Sequence, residues 1–236
     1  LAIGPWRGRV MSDPYLVELY QELPEARPGD DPEDWSVRMR VAYRAFRDRV
    51  LKAYTEGTLQ RLLGHHDMIA RRAAVVAVGL IGTMASNHTV AARLHDEDLV
   101  VRDLATDTLW ELWFRGGTPE QNQELQRILR LRDADRMLPA LDALIRSAPG
   151  FAEAVNQRAI VHFRRGEFRR SISDCRRVMR MNPHHYGAQS GMGQCYLRLN
   201  NGRAALDALE LALRIHPSLD GIQATIEVIR ESLGDE

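Results

Sequence analysis

The chain has 236 residues, 44% of them hydrophobic, and its 32 basic side chains balance its 32 acidic ones. That composition excludes a wholly disordered chain. No apolar run reaches the ~18 residues that a membrane-spanning helix needs, and two cysteines cannot build a disulfide framework. Neutrality argues against a general nucleic-acid binder. Lys52 is the sole lysine, so wherever the remaining basic residues converge, they converge as planar guanidiniums suited to bidentate recognition.

In chain order, residues 1–10 (LAIGPWRGRV) lack the apolar core of a secretory signal. The chain opens on Leu1, which reads as cleavage, truncation or a non-standard start, with Met11 as an alternative. A cytoplasmic location is expected, or a periplasmic one if an earlier signal has been removed. Residues 1–33 read as an irregular acidic arm: Asp13, Glu18, Glu22, Glu25, Asp30 and Asp31 stand among Pro14, Pro24, Pro28 and Pro32, around a short helix near 14–22. A long amphipathic helix is predicted over 34–55 (DWSVRMRVAYRAFRDRVLKAYT), and further helices at 68–82 and 99–114. Arg72 and Arg102 lie 30 apart, behind His66–Asp67 and His95–Asp96. This "LxxHD…xVRxxAxxxL" pattern resembles short bacterial HEAT-like repeats, which implies helical hairpins over 34–117. Such repeats also occur in bilin lyases, but too little of that pattern is present to imply the chemistry.

From 118 onward a second period takes over. Pro149, Pro183 and Pro217 are 34 residues apart. The same shift superposes Ala159 on Gly193, His162 on Tyr196, Arg164 on Arg198 and Ile172 on Leu206. Each unit holds two apolar-periodic helices, joined near Gly166–Glu167 and Asn201–Gly202, with the proline just past the second helix, where a missing N–H ends it. Residues 152–185 and 186–219 resemble the tetratricopeptide (TPR) consensus nearly throughout, departing at Val155 and Gln189, where Trp is common, and at Ser171, where Ala is usual. Residues 118–151 read as a degenerate preceding unit and 220–233 as a capping helix with Asp220, Glu227 and Glu231 outside, completing a TPR stack over 118–236. The stretch 109–218 further resembles a family of bacterial TPR proteins sharing an AEAxNxRA…DC…NPxHxGAxSGxGxCY signature. The expected fold is all-α: an α-solenoid, a right-handed superhelix of helical hairpins, HEAT-like first and TPR after.

The resemblance implies a non-enzymatic adaptor whose concave groove, lined by the first helix of each unit, takes a protein or peptide segment. Glu153 and Gly187 open that face, and the binding candidates on it are Asn156, Gln157, Ile160, Phe163 and Arg164, then Ser190, Gln194, Leu197 and Arg198. Paired Arg164 and Arg198 suit a carboxylate or phosphate, and Phe163 and Leu197 an apolar anchor. TPR domains that grip the C-terminal carboxylates of cytosolic chaperones use Lys and Asn in one first helix and Asn in the next. Asn156, Ile160 and Gly191 stand there instead, which disfavours that clamp. A second basic feature is a convex patch of Arg169, Arg170, Arg176, Arg177 and Arg180, without the aromatic interleaving that stacks single-stranded bases, so nucleic acid is not an expected partner. No phosphate loop, His-Glu-x-x-His or nucleophile elbow occurs; no cofactor or metal is expected, since the doublets His65–His66 and His184–His185 lack an identifiable third ligand and His162 and the two cysteines fit packing positions. The alternative to the groove reading is a structural subunit packed constitutively into an assembly through its ends and convex faces, for which the apolar cluster Trp110, Trp113 and Phe114 is the motive.

Overall fold

The computed structural model describes residues 14–25 and 29–234. The parts of the acidic arm at 1–13 and 26–28, Met11 among them, and the last two acids, Asp235 and Glu236, lie outside the described residues. Every regular element among the described residues is a helix, and the chain divides into two compact units, one ending at Ile81 and the other beginning at Gly82.

The first unit holds α1 (Tyr15–Gln21), α2 (Pro32–Ala53), α3 (Glu56–Leu62) and α4 (Met68–Ile81). Helix α4 is apolar nearly all round and is the centre of the unit, with Ala70, Ala73, Ala74, Val75, Ala77 and Val78 all fully buried. Helix α1 is the short helix expected near 14–22, but its apolar side is not solvated: Leu16, Val17 and Leu19 are buried, α1 packs on α4, and the Leu16 amide donates to the Tyr54 hydroxyl at 2.8 Å. Its acids, Glu18 and Glu22, remain exposed. Helix α2 starts on Pro32 behind Asp31, whose carboxylate accepts the Glu33 and Asp34 amides, and buries Phe46 and Val50.

The second unit begins with a 3-10 turn and α5 (Asn87–Ala91), followed by a second 3-10 turn and α6 (Leu99–Phe114). The expected helices at 68–82 and 99–114 are thus α4 and α6. Their common register is 31 residues, not 30: Asp67 and Asp98 accept the amides of Ala70 and Val101, and Arg71 and Arg102 each turn back onto the preceding backbone, Arg71 onto the carbonyls of His65 and His66 and Arg102 onto that of Asp96. Arg71, 4% exposed, rather than Arg72, is therefore the counterpart of Arg102.

Four helical layers follow. Helices α7 (Pro119–Leu129) and α8 (Ala134–Ser147) form the first hairpin, α9 (Ala152–Arg164) and α10 (Phe168–Met181) the second, α11 (Tyr186–Arg198) and α12 (Gly202–Ile215) the third, and α13 (Ile222–Gly234) packs on α12. Each hairpin packs on the next in chain order, the arrangement of an α-solenoid. The period is written into the backbone: Gly166 and Asn200, 34 apart, both turn left-handed, at φ 73° and 54°. Within the third hairpin a Cβ on Gly193 would lie 2.6 Å from Leu209 Cδ2, so a side chain there forces Leu209 to move. One repeat earlier the same two positions hold Ala159 and Cys175, a larger residue on the first helix and a smaller one on the second. Gly193→Ala is expected to destabilise the unit by roughly 1–3 kcal/mol through overpacking, and Leu209→Cys in the same chain to restore part of that loss, read from denaturant midpoints.

Candidate functional site

Helices α9 and α11 carry the face expected to line a groove, and its two ends have different fates. At the inner end Glu153 is fully buried. Its carboxylate accepts from His185 Nε2 at 2.9 Å, Asn156 Nδ2 at 3.1 Å and Gln157 Nε2 at 2.6 Å. His185, also fully buried, accepts the Ala188 amide on Nδ1 and so caps α11; that contact selects the tautomer with the proton on Nε2, aimed at Glu153. Over the imidazole lies the indole of Trp113, stacked at 4.0 Å and 18°. Trp113 Nε1 donates to Asn87 Oδ1 at 2.7 Å, and Asn87 Nδ2 donates to Asn182 Oδ1 at 2.9 Å. Trp110 presses on Gly187, where a Cβ would stand 2.9 Å from its ring. The inner end of the groove face is therefore filled by α6 of the same chain.

This placement corrects the reading of Glu153 as a groove-lining side chain; Asn156 and Gln157 each give an amide N–H to its carboxylate, which a buried carboxyl group needs. It also removes the motive for an external assembly surface at Trp110, Trp113 and Phe114: Trp113 is 2% exposed, and Trp110 and Phe114 are half-buried against other parts of the same unit.

Beyond that seal the face opens into a cavity of about 210 Å³ lined by Asn156, Ala159, Ile160, Phe163, Gly187, Ser190, Gly191 and Gln194, with Ser171 and Cys175 also on its wall. Small residues on α11 leave the space, and Ile160 and Phe163 give it an apolar side. Ser190 spends its hydroxyl on the Gly187 carbonyl. At the rim the Arg198 guanidinium lies 6.0 Å from the Phe163 ring centroid, and exposed Arg164 follows Phe163 in the chain. Neither arginine has a carboxylate partner among the described residues. Leu197 does not join this cavity; it packs toward Ala205, Leu209 and Ile226.

The remaining candidates have internal partners. His184 Nε2 lies 3.0 Å from His88 Nδ1, and His162 Nδ1 lies 2.7 Å from Glu167 Oε2, so the adjacent histidines 184 and 185 point to different neighbours. Among the described residues no group of three or more His, Cys, Asp or Glu side chains is placed to hold a metal ion. Both cysteines are buried, and burial pushes the Cys175 thiol up to about 12 and raises that of Cys195. In the convex patch Arg170 pairs with Glu167, Arg176 donates to the Tyr196 hydroxyl and Arg177 to the Pro149 carbonyl, while Arg169 and Arg180 are exposed. Reading the sequence missed Arg158, which grips Asp174 bidentately and Asp142 at 2.7 Å, tying α8, α9 and α10 together.

Residues 162–224 match the family model for the tetratricopeptide repeat. A TPR repeat-containing protein of Rhizobium etli is 35% identical over 96 residues, which is 41% of this chain. The chain spans 47% of the length of that relative. Among solved structures, the first TPR of Spaghetti (RPAP3), bound to an HSP90 peptide, aligns with a TM-score of 0.45 at 18% identity, covering 49% of this chain and 91% of that one. The repeats at 162–224 are thus of the TPR type, a class that mediates protein–protein interaction. No helix among the described residues is long and apolar enough to cross a membrane.

Replacing Glu153 with Ala leaves three donors without an acceptor, two of them buried, and is expected to cost about 3 kcal/mol; Glu153→Gln, which keeps an acceptor oxygen, costs less, both read by urea unfolding. A second expectation concerns pH. Burial and the neighbouring His88 lower the His184 pKa, and burial with His95 lowers that of His216 against the opposing pull of Asp103 and Asp220. Both imidazoles are thus harder to protonate folded than unfolded, so their contribution is complete above the ordinary value of 6.5 and is lost as pH falls below it. The melting temperature is expected to drop between pH 7.5 and about 5, and the drop to shrink in a His184→Gln, His216→Gln double variant.

Proposed function

We propose that this protein is a non-enzymatic adaptor that holds a protein segment in the open end of the α9–α11 groove. The observation that carries the reading is the apolar cavity beside Ile160 and Phe163, with the unpaired guanidiniums of Arg164 and Arg198 next to it. A cavity of about 210 Å³ suits one aliphatic or aromatic side chain. Two arginines without internal carboxylates suit an acidic residue close to that anchor, since a charge-assisted pair forms there without breaking an existing one. The ligand so described is a short segment with an apolar anchor and a neighbouring carboxylate. Asn156 lines the cavity while its amide, like that of Gln157, is held by Glu153, and Gln194 offers an amide at the edge.

Arg164→Ala together with Arg198→Ala is expected to weaken capture of the main partner from a lysate of the source organism by about tenfold or more, with the helical circular dichroism unchanged. Ile160→Asp is expected to abolish capture. Full retention of that partner by both variants overturns the groove assignment.

A further inference from the structure

Helix α2 has two apolar faces. Trp35, Met39, Tyr43, Phe46 and Val50 lie on one side, and Phe46 and Val50 are buried in the first unit. At 100° per residue, Val37, Val41, Arg44, Asp48 and Leu51 fall within an arc of about 80° on the opposite side. There an isolated surface helix carries polar residues, yet Val37 is 50% exposed, Val41 65% and Leu51 51%. The two charged members of the stripe, Arg44 and Asp48, are exposed and form no ion pair among the described residues.

The order of these residues is self-complementary. The pairs Val41–Leu51 and Arg44–Asp48 share one midpoint, position 46. Turning a second copy about a two-fold axis level with that position, perpendicular to the helix, lays α2 antiparallel on α2. Val41 of each copy then meets Leu51 of the other, and Arg44 of each meets Asp48 of the other. An isologous contact requires this kind of symmetry, in which one patch satisfies itself. Aliphatic surface is covered, and both charges gain a partner that they lack in the single chain.

We infer that α2 is a homodimerisation surface, pairing antiparallel with α2 of a second copy of this chain through Val41, Arg44, Asp48 and Leu51. The interface is one helix wide, so the dimer is expected to be reversible, with a dissociation constant on the order of 10 µM. Because the symmetry repeats each contact, every substitution acts twice.

The test is sedimentation equilibrium on the 236-residue chain from about 1 to 200 µM, a range bracketing that constant. A concentration-dependent monomer–dimer equilibrium is expected. Arg44→Asp and Asp48→Arg, each alone, bring like charges together and are expected to weaken self-association at least tenfold, with unchanged melting temperatures. In an equimolar mixture of the two single variants, one chain is acidic at both positions and the other basic at both. Opposite charges then meet at both contacts, and a heterodimer close to the wild-type constant is expected. A chain that stays monomeric throughout overturns the inference, as does a dimer that both reversals leave intact or a mixture that fails to associate. The groove variants Arg164→Ala and Arg198→Ala serve as controls and leave the dimer unchanged.

Discussion

The second unit depends on one buried carboxylate. Glu153 has no access to solvent, and a carboxyl group in that position is tolerable only because three donors surround it. Each donor is committed in turn. His185 is oriented by the Ala188 amide it caps, and Asn156 and Gln157 sit one turn along the same helix as Glu153. Trp113 then closes the imidazole face and reaches through Asn87 to Asn182, at the end of α10. A chain of contacts that begins by satisfying a buried acceptor thus ends by fastening α5 and α6 to the repeat stack.

That fastening determines what the groove can do. A face that would run the length of α9 and α11 is sealed at its helix N-termini by indole and imidazole rings, and is open only toward Phe163 and Arg198. The cavity lies beyond that seal, bordered by Ile160 and Phe163 on α9 and by Ser190, Gly191 and Gln194 on α11. The spent and unspent charges follow the same division. Glu153, Asp174 and Arg158 are consumed in holding neighbouring helices, whereas Arg164 and Arg198 have no carboxylate of their own. Desolvating an already satisfied ion pair gains a ligand little, which is why the proposed recognition is assigned to the two guanidiniums without a carboxylate.

The repeat architecture was legible because a 34-residue hairpin imposes repeated demands on the chain. Proline must follow the second helix, small residues must fall where helices approach, and a left-handed residue must join the two. Gly166 and Asn200 meet the last demand with different side chains, so the period survives where identity does not. What was not legible were contacts between segments far apart in sequence. Glu153 occupies a groove phase in the repeat, and only the approach of α6, from well before the repeats in the chain, turns it inward. Trp110 and Trp113 look like an unclaimed apolar patch for the same reason: their partners, His185, Tyr186 and Gly187, belong to a different pattern. The one-residue error in pairing Arg72 with Arg102 arose because adjacent arginines are equivalent to a periodicity argument. The carbonyls of His65 and His66 distinguish them, by taking Arg71.

Helix α2 shows the limit of amphipathic reasoning from the other side. A periodicity measure registers that 34–55 is helical and apolar in phase, but it sums one strong face and one weaker face into a single vector, and opposed faces partly cancel. The first unit resolves them by using one: Phe46 and Val50 go to the core and leave Val37, Val41 and Leu51 at half exposure or more. Leaving three large aliphatics in water on a 22-residue helix costs solubility without aiding the fold. The same stripe places an arginine and an aspartate symmetrically between two of those aliphatics, which is the self-complementarity on which the inferred antiparallel pairing rests. The stripe lies on the first unit and the groove on the second, so substitutions in either can be made without touching the residues of the other.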